Sequence, residues 1–310
     1  MTSDSTQGGD SHQEGTVHVP VLLNETLQAL DLEAGLVVVD GTCGVLGHGR
    51  DIVSVLGSKG RYVGLDRDTE ILARARAVLG GTARVREGVS LHSVVYSRMG
   101  GVLAEQGLES CDRVFLDIGI SSMQIDTPDR GFSFQMDGPL DMRMDRNSGE
   151  PLAKWLARVT EEELANIIYQ YGEERHSRRI ARAILQERER TGIHRTLQLA
   201  EIVRRAIPVK GRQRIHPATR TFQALRIAIN DELGELERGL QAALECLTPS
   251  GRLVVITFHS LEDRIVKRFM KAHMELPFRK PVTASPQECR DNPRARSAKL
   301  RCGVKREAAA

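Results

Sequence analysis

Three short apolar runs, each carrying an aspartate at or next to its end, constrain this chain most. They are Leu36-Val37-Val38-Val39-Asp40, Arg61-Tyr62-Val63-Gly64-Leu65-Asp66 and Val114-Phe115-Leu116-Asp117-Ile118, with a fourth candidate, RLVVITF, far downstream at 252–258. None alternates polar with apolar, so none suits a sheet with one wet face. Uninterrupted apolar strands separated by helical stretches predict a parallel α/β sheet covered on both faces. Such a doubly wound sheet binds its ligand outside the carboxyl ends of the strands, where the aspartates sit.

The first run leads into Gly41-Thr42-Cys43-Gly44-Val45-Leu46-Gly47-His48-Gly49, and Asp66 follows about twenty residues after this loop. Glycines let a backbone approach a ligand closely, and a carboxylate at the next strand tip can accept both ribose hydroxyls. These two elements fit a nucleoside site. A tight turn with no ligand fits the glycines equally, and the loop is not G-x-G-x-x-G.

Leu116 to Asp145 reads LDIGISSMQIDTPDRGFSFQMDGPLDMRMD and shows no regular periodicity after its strand. Turn signals at Thr127-Pro128-Asp129, Asp129-Arg130-Gly131 and Asp137-Gly138-Pro139 punctuate it. Long irregular loops in compact domains are either functional or disordered. Phe132, Phe134, Leu140, Met142 and Met144 are too many apolar anchors for a linker, which predicts an ordered loop at the active site.

The 310 residues suffice for one large or two small domains. Residues 1–16, MTSDSTQGGDSHQEGT, lack an apolar signal core and predict a disordered tail on a cytoplasmic protein. No apolar stretch approaches the about eighteen residues of a membrane helix. Five cysteines without C-x-x-C spacing predict free thiols, and no clustered ligand set calls for a metal. The net charge is only +3, yet 174–226 holds fourteen Lys or Arg against four acids, and 264–306 thirteen against three. Such blocks are either solvated faces or contacts for a phosphate-rich partner.

From about 151 to 210 the pattern is almost purely helical, with candidates at Leu152–Leu156, Glu162–Tyr169, Arg178–Arg190 and Thr196–Ala206. Thr160-Glu161-Glu162-Glu163 has capping-box spacing. An all-helical subdomain at 151–215 is therefore expected, inserted between two sheet-forming portions at 17–150 and 216–310. A single long helix is expected from Pro217 to about Leu247, and another at Val21–Leu32.

The wording of several segments resembles the MraW/RsmH family. They are His18-Val19-Pro20-Val21-Leu22-Leu23, Asp40-Gly41-Thr42, Asp66-Arg67-Asp68, nearly all of 116–145, and Tyr171-Gly172-Glu173-Glu174-Arg175. His216 to Arg226 (HPATRTFQALR), Phe258 to Arg264 (FHSLEDR) and Asn292 to Ser297 (NPRARS) complete the set, which spans about 17–302. The resemblance implies a Rossmann-like class I methyltransferase fold. It implies transfer of a methyl group from S-adenosyl-L-methionine to cytosine N4 in the decoding region of 16S rRNA, within the small ribosomal subunit. A catalytically weakened RNA-binding assembly factor and a DNA amino-methyltransferase remain alternatives, and the oligomeric state stays open, a homodimer included.

By position, the resemblance assigns Leu46, Gly47, His48, Asp66, Val89, Asp117 and Gln124 to the cofactor, Val89 standing where the family has a Phe beside the adenine. Asp117 is also the first candidate for polar work on the amine, with Ser121 and Ser122 offering hydroxyls to the base. Many amino-methyltransferases carry Asn/Asp-Pro-Pro-aromatic after this strand, whereas this chain has Asp117-Ile118-Gly119-Ile120. The family loop usually reads Gly-Thr-Phe-Gly-x-Gly-Gly-His, so Cys43 and Leu46 replace a Phe and a Gly. A Leu46 side chain is expected either to intrude on the methionine moiety or to strain the backbone. Asp141 and Arg143 either pair with each other or orient RNA. His259 and Trp155 are expected to be structural, and His216 to brace a helix start.

Overall fold

The computed structural model describes residues 20–81, 88–208 and 215–307; the expected tail at 1–16 lies outside them. The strands are β1 (Val37–Asp40), β2 (Arg61–Asp66), β3 (Val89–Ser93), β4 (Cys111–Asp117), β5 (Leu247–Thr257), β6 (Met274–Glu275) and β7 (Lys299–Lys305). They form one seven-stranded sheet in the order β3-β2-β1-β4-β5-β7-β6. The first five strands run parallel, while β7 lies antiparallel between β5 and β6.

Side-chain alternation explains why the runs carry no polar face. Val38, Phe115, Val254 and Ile256 enter one apolar cluster, with Leu30, Leu46, Ile52 and Leu72. Val39, Val114, Leu116, Leu253 and Val255 enter another, with Leu103, Leu236, Leu240 and Met270. Successive residues of a strand point to opposite faces, so both faces are covered and both must be apolar.

A third cluster joins Leu152, Leu156, Leu164, Ile168, Ile180, Ile184, Leu199 and Val203 to Phe222 and Leu225. The helices Leu152–Arg158, Glu161–Gly172, Ser177–Thr191 and Thr196–Ala206 build it, close to the expected spans. Thr160 Oγ1 caps the second by accepting from Glu163 N–H at 3.2 Å. Phe132, Leu140, Met142 and Met144 are buried in this cluster, so the long loop is anchored in the helical core. Trp155 packs against the same cluster.

Three local expectations differ from the structure. The single helix after Pro217 is two, Ala218–Asn230 and Glu232–Cys246, because Asp231 takes a left-handed φ of 48°. Asn230 is held there by the loop: its side chain donates to Met142 O at 2.8 Å and accepts from Met144 N–H at 2.7 Å. The strands β3, β6 and β7 had no apolar run to announce them. β7 falls inside the C-terminal basic block, yet Leu300, Arg301, Cys302 and Gly303 are buried. Asp263 makes this tolerable, pairing with Arg301 at 2.7 Å and Lys299 at 3.4 Å. The five cysteines are unpaired, and no helix among the described residues is long and apolar enough to cross a membrane.

Candidate active site

Strand order reverses at β1: β2 and β3 extend to one side, β4 and β5 to the other. The crevice at such a switch point is where open α/β sheets bind ligands. Here it opens into a cavity of about 460 Å³ lined by Asp40, Asp66 and Asp117, the tips of β1, β2 and β4. The glycine loop forms one wall. A Cβ on Gly41 would meet Leu116 at 2.4 Å and Tyr96 at 2.7 Å, so only glycine lets the loop leave the sheet there.

All three carboxyls are pushed up, each chiefly by burial. Asp40 rises to about 7 although Tyr62 Oη and Thr42 N–H donate to it at 2.7 and 3.1 Å. Asp66 rises to about 6 while accepting from Gly44 N–H and Asp68 N–H. Asp117 rises to about 8, with the negative charges of Asp40 and Glu262 adding to burial. Its backbone N–H donates to Thr42 Oγ1 at 2.6 Å. Although the side chain as a whole is 28 % exposed, Oδ1 is sealed from solvent and has no hydrogen-bond partner. The exposed part of the carboxyl is therefore what the cavity meets.

His48 sits beside it, Nδ1 being 3.8 Å from Asp117 Oδ2. Its Nε2 is 3.0 Å from Val21 O; a carbonyl only accepts, so Nε2 carries the proton and Nδ1 faces Asp117.

The loop after β4 is organised by a relay. Ser121 Oγ accepts from Gln124 N–H and Gln124 Oε1 accepts from Ser121 N–H, a reciprocal cap on the short helix Ser122–Asp126. Gln124 Nε2 donates to Asp68 at 2.8 Å, Asp68 pairs with buried Arg130 at 2.7 Å, and Arg130 donates to the carbonyls of Arg143 and Met144. Asp141 and Arg143 pair with each other in two-pronged fashion at 2.7 and 3.0 Å. His216 Nδ1 accepts from Ala218 N–H, and its ring lies 4.7 Å from that of Phe134.

Of the residues singled out in the sequence, Gly47, His48, Asp66, Asp117, Ser121, Ser122 and Gln124 line the cavity together. Leu46 and Val89 are not among its lining residues. Leu46 takes a left-handed φ of 67° ahead of the helix Gly47–Leu56 and is buried in the sheet-face cluster, so it strains the backbone without entering the cavity. Val89 opens β3 opposite Tyr62, whereas the end level with Asp66 is Ser93. Val95 and Tyr96, just beyond that end, line the cavity instead. Phe258, Gln223, Arg226 and Arg294 also line it; all lie in the segments that carry the resemblance.

The family model of the MraW methylase family matches residues 15–306. The chain belongs to the MraW methylase family. Two relatives named ribosomal RNA small subunit methyltransferase H are similar along nearly their whole lengths. One, from Paramagnetospirillum magneticum, is 47 % identical over 94 % of this chain and 97 % of its own. Another, from Xanthomonas oryzae pv. oryzae, is 45 % identical over 95 % of this chain and 90 % of its own. A putative rRNA-methylase structure from Clostridium thermocellum has a TM-score of 0.44 at 12 % identity, covering 94 % of this chain and 100 % of that one. It adds nothing to the topology already read from the strand order.

S-adenosyl-L-methionine is the cofactor of this MraW methylase, and the site fits it. Three carboxyls face the cavity, and the glycine loop presents no Lys or Arg to it, a donor set matched to a cationic sulfonium nucleoside and not to a pyrophosphate. Asp66 and Asp117, at the tips of β2 and β4, both line the cavity. Cys43 lines the pocket as a buried thiol whose pKa burial pushes far up, so it stays neutral.

Proposed function

We propose that this protein methylates the exocyclic N4 of a cytidine in the decoding region of 16S rRNA, acting on the small ribosomal subunit. The observation that carries this reading is the Asp117 carboxyl, part-exposed at the tip of β4 and lining the cavity beside the glycine loop. Cytosine N4 is a poor nucleophile because its lone pair is delocalised into the ring. A carboxylate accepting an N4–H localises that pair and then takes the proton that N4 sheds as its bond to carbon forms. When bound, S-adenosylmethionine supplies the methyl carbon on a positively charged sulfur. That nearby charge draws the Asp117 carboxyl down from about 8, leaving it ionised near neutrality and close to the best pKa for a general base.

His48 packs beside Asp117, its Nδ1 3.8 Å from Asp117 Oδ2 and its ring held by Nε2–H donating to Val21 O. The helices between 151 and 215, fastened to the loop through the shared apolar cluster, form the RNA-holding part of this reading. The names of the 45–47 % identical relatives support a small-subunit rRNA substrate. Basic residues along 174–226 supply phosphate contacts that strengthen binding without choosing sequence.

The test is methyl transfer from labelled S-adenosylmethionine into small subunits from cells lacking this gene, with the modified nucleotide mapped. Label on N4 of one decoding-region cytidine is expected. Label at another atom, or preferential labelling of duplex DNA, would overturn the reading. Particles that bind the protein but take no label would favour a catalytically silent assembly factor.

A further inference from the structure

The helix Ser260–His273 starts at the cavity, because the two residues before it, Phe258 and His259, both line that space. Its sequence, SLEDRIVKRFMKAH, mixes two acids with four Lys or Arg. Folding separates them. Glu262, Val266 and Met270 are buried, and Asp263 pairs with Lys299 and Arg301 of β7. Arg264, Lys267, Arg268 and Lys271 are all exposed. Residues three and four apart share one face of a helix, so these four form a continuous row about 10 Å long.

Most of the row is not neutralised by the protein. Arg264 pairs with Glu173 at 3.3 Å, but Lys267, Arg268 and Lys271 have no acid partner among the described residues. Several cations of 174–226 differ in this: Arg182, Arg190, Arg195, Arg204 and Arg205 each pair with an acid. A phosphate reaching those must displace a carboxylate. On the helix Ser260–His273 it displaces only water and counterions.

The row also has a fixed start beside the cavity. Arg220 donates to Glu173 O at 3.3 Å, so Glu173 holds Arg220 and Arg264 together. Gln223, about one helical turn after Arg220, lines the cavity. Compensation of the helix dipole accounts for Lys271 alone, because that effect fades beyond the last turn. A basic amphipathic helix can also lie on an anionic membrane, but only with an apolar face exposed. Here Val266 and Met270 pack into the sheet-face cluster with Leu253 and Val255. None of the large exposed apolar side chains among the described residues belongs to this helix.

We propose that Arg264, Lys267, Arg268 and Lys271 form a track for the phosphate backbone of the substrate RNA, holding the strand that leads to the target nucleotide. This rests on the small-subunit rRNA reading above. Contacts of this kind set affinity and register and leave the choice of base to the cavity.

The full-length protein would be compared with Lys267→Gln/Arg268→Gln, with a triple variant that adds Lys271→Gln, and with Lys59→Gln/Arg61→Gln. Lys59 and Arg61 are exposed at the amino end of β2, the end opposite Asp66. Calorimetry would give S-adenosylmethionine affinity, and methyl transfer into unmethylated small subunits would give kcat and KM. Filter binding at several salt concentrations and fixed Mg²⁺ would give subunit affinity. KM should rise about tenfold in the double variant and further in the triple, with kcat and cofactor affinity within about twofold of wild type. The slope of log affinity against log salt should become shallower by about 0.7 for each cation removed, the value for single strands. Lys59→Gln/Arg61→Gln should change none of these.

Unchanged KM and slope in the triple variant would overturn the track and leave these cations a solvated face. Equal losses in Lys59→Gln/Arg61→Gln would overturn it too, since net charge alone would then explain them. So would a fall in kcat or cofactor affinity as large as the rise in KM, or loss of binding to anionic lipid vesicles with subunit affinity kept. Wild-type label on rRNA with unaffected variants sinks the track alone; wild-type label on duplex DNA and not on rRNA sinks the substrate reading and this proposal with it.

Discussion

Replacing Leu46 by glycine tests whether its side chain belongs to the core or to the cofactor site. Leu46 is 1 % exposed, packed with Ile52 and Tyr62, and held at a φ of 67°. Removing a buried leucine side chain costs about 2.7–5 kcal/mol, counting both transfer and the cavity left behind. Glycine adds about 0.5–1 kcal/mol through the greater freedom of its unfolded chain. Relief of the left-handed strain returns about 1–2 kcal/mol. Taking middle values, Leu46→Gly should lower unfolding free energy by about 3 kcal/mol. Urea unfolding would read the loss, and calorimetry should show S-adenosylmethionine affinity changed by no more than a few-fold. A neutral or stabilised variant would refute the burial argument. A large gain in cofactor affinity would show that the side chain obstructs the pocket after all.

Other expectations follow from the same geometry. Asp117, Asp40 and Asp66 are raised to about 8, 7 and 6, so the folded empty protein holds more protons than the unfolded chain above about pH 4. Their stabilising contribution is therefore full below the unfolded carboxyl range and is lost as pH rises through these values. Cation binding runs the other way: if Asp117 must be ionised, S-adenosylmethionine binds about 100-fold more weakly near pH 6 than at its alkaline limit. S-adenosylhomocysteine, without the sulfonium charge, should show a shallower rise; equal, flat profiles for both would refute this. Arg130→Ala leaves Asp68 as an unpaired buried charge and should cost about 3–5 kcal/mol, with hydrogen exchange accelerating across residues 128–145. Protection unchanged there would show that the relay does not hold the loop. Gly119→Ala forces a side chain into a φ of 123° and should cost about 1–3 kcal/mol while lowering kcat; full activity would show that the β4 loop tolerates repositioning.

The long loop explains why the helical part and the sheet work on one cavity. Its anchors are buried with the helices, while Met144, near its end, lines the cavity wall. Asn230 ties the same segment to the break between two helices, and Arg67, one residue past Asp66, donates to Asn230 O at 2.9 Å. Glu173 adds a second tie, accepting from Ser260 Oγ at 2.8 Å and pairing with Arg264 on the helix Ser260–His273. The helices are thus tied by hydrogen bonds and an ion pair to segments next to the cavity.

The parallel strands, their acidic tips and the helical block were legible in the sequence because each is a local pattern. An apolar run records burial on two faces, an aspartate at its end records the ligand edge, and helical spacing records one buried stripe. Asp66 and Asp117 end such runs, whereas Gly47, His48 and Gln124 were placed by the family resemblance; all five line the cavity. Tertiary structure alone decided the rest. β7 hides in a basic block because Asp263, from another element, neutralises Arg301. The helix break at Asp231 depends on carbonyls and N–H groups nearly ninety residues away in the chain. β3, a partly exposed edge strand, has no continuous apolar signature, so only the sheet order shows that Val95 and Tyr96, just past its end, line the cavity. Leu46 turned into the core because a single left-handed φ chooses which side of the loop its Cβ occupies, and only packing against Ile52 and Tyr62 makes that choice favourable.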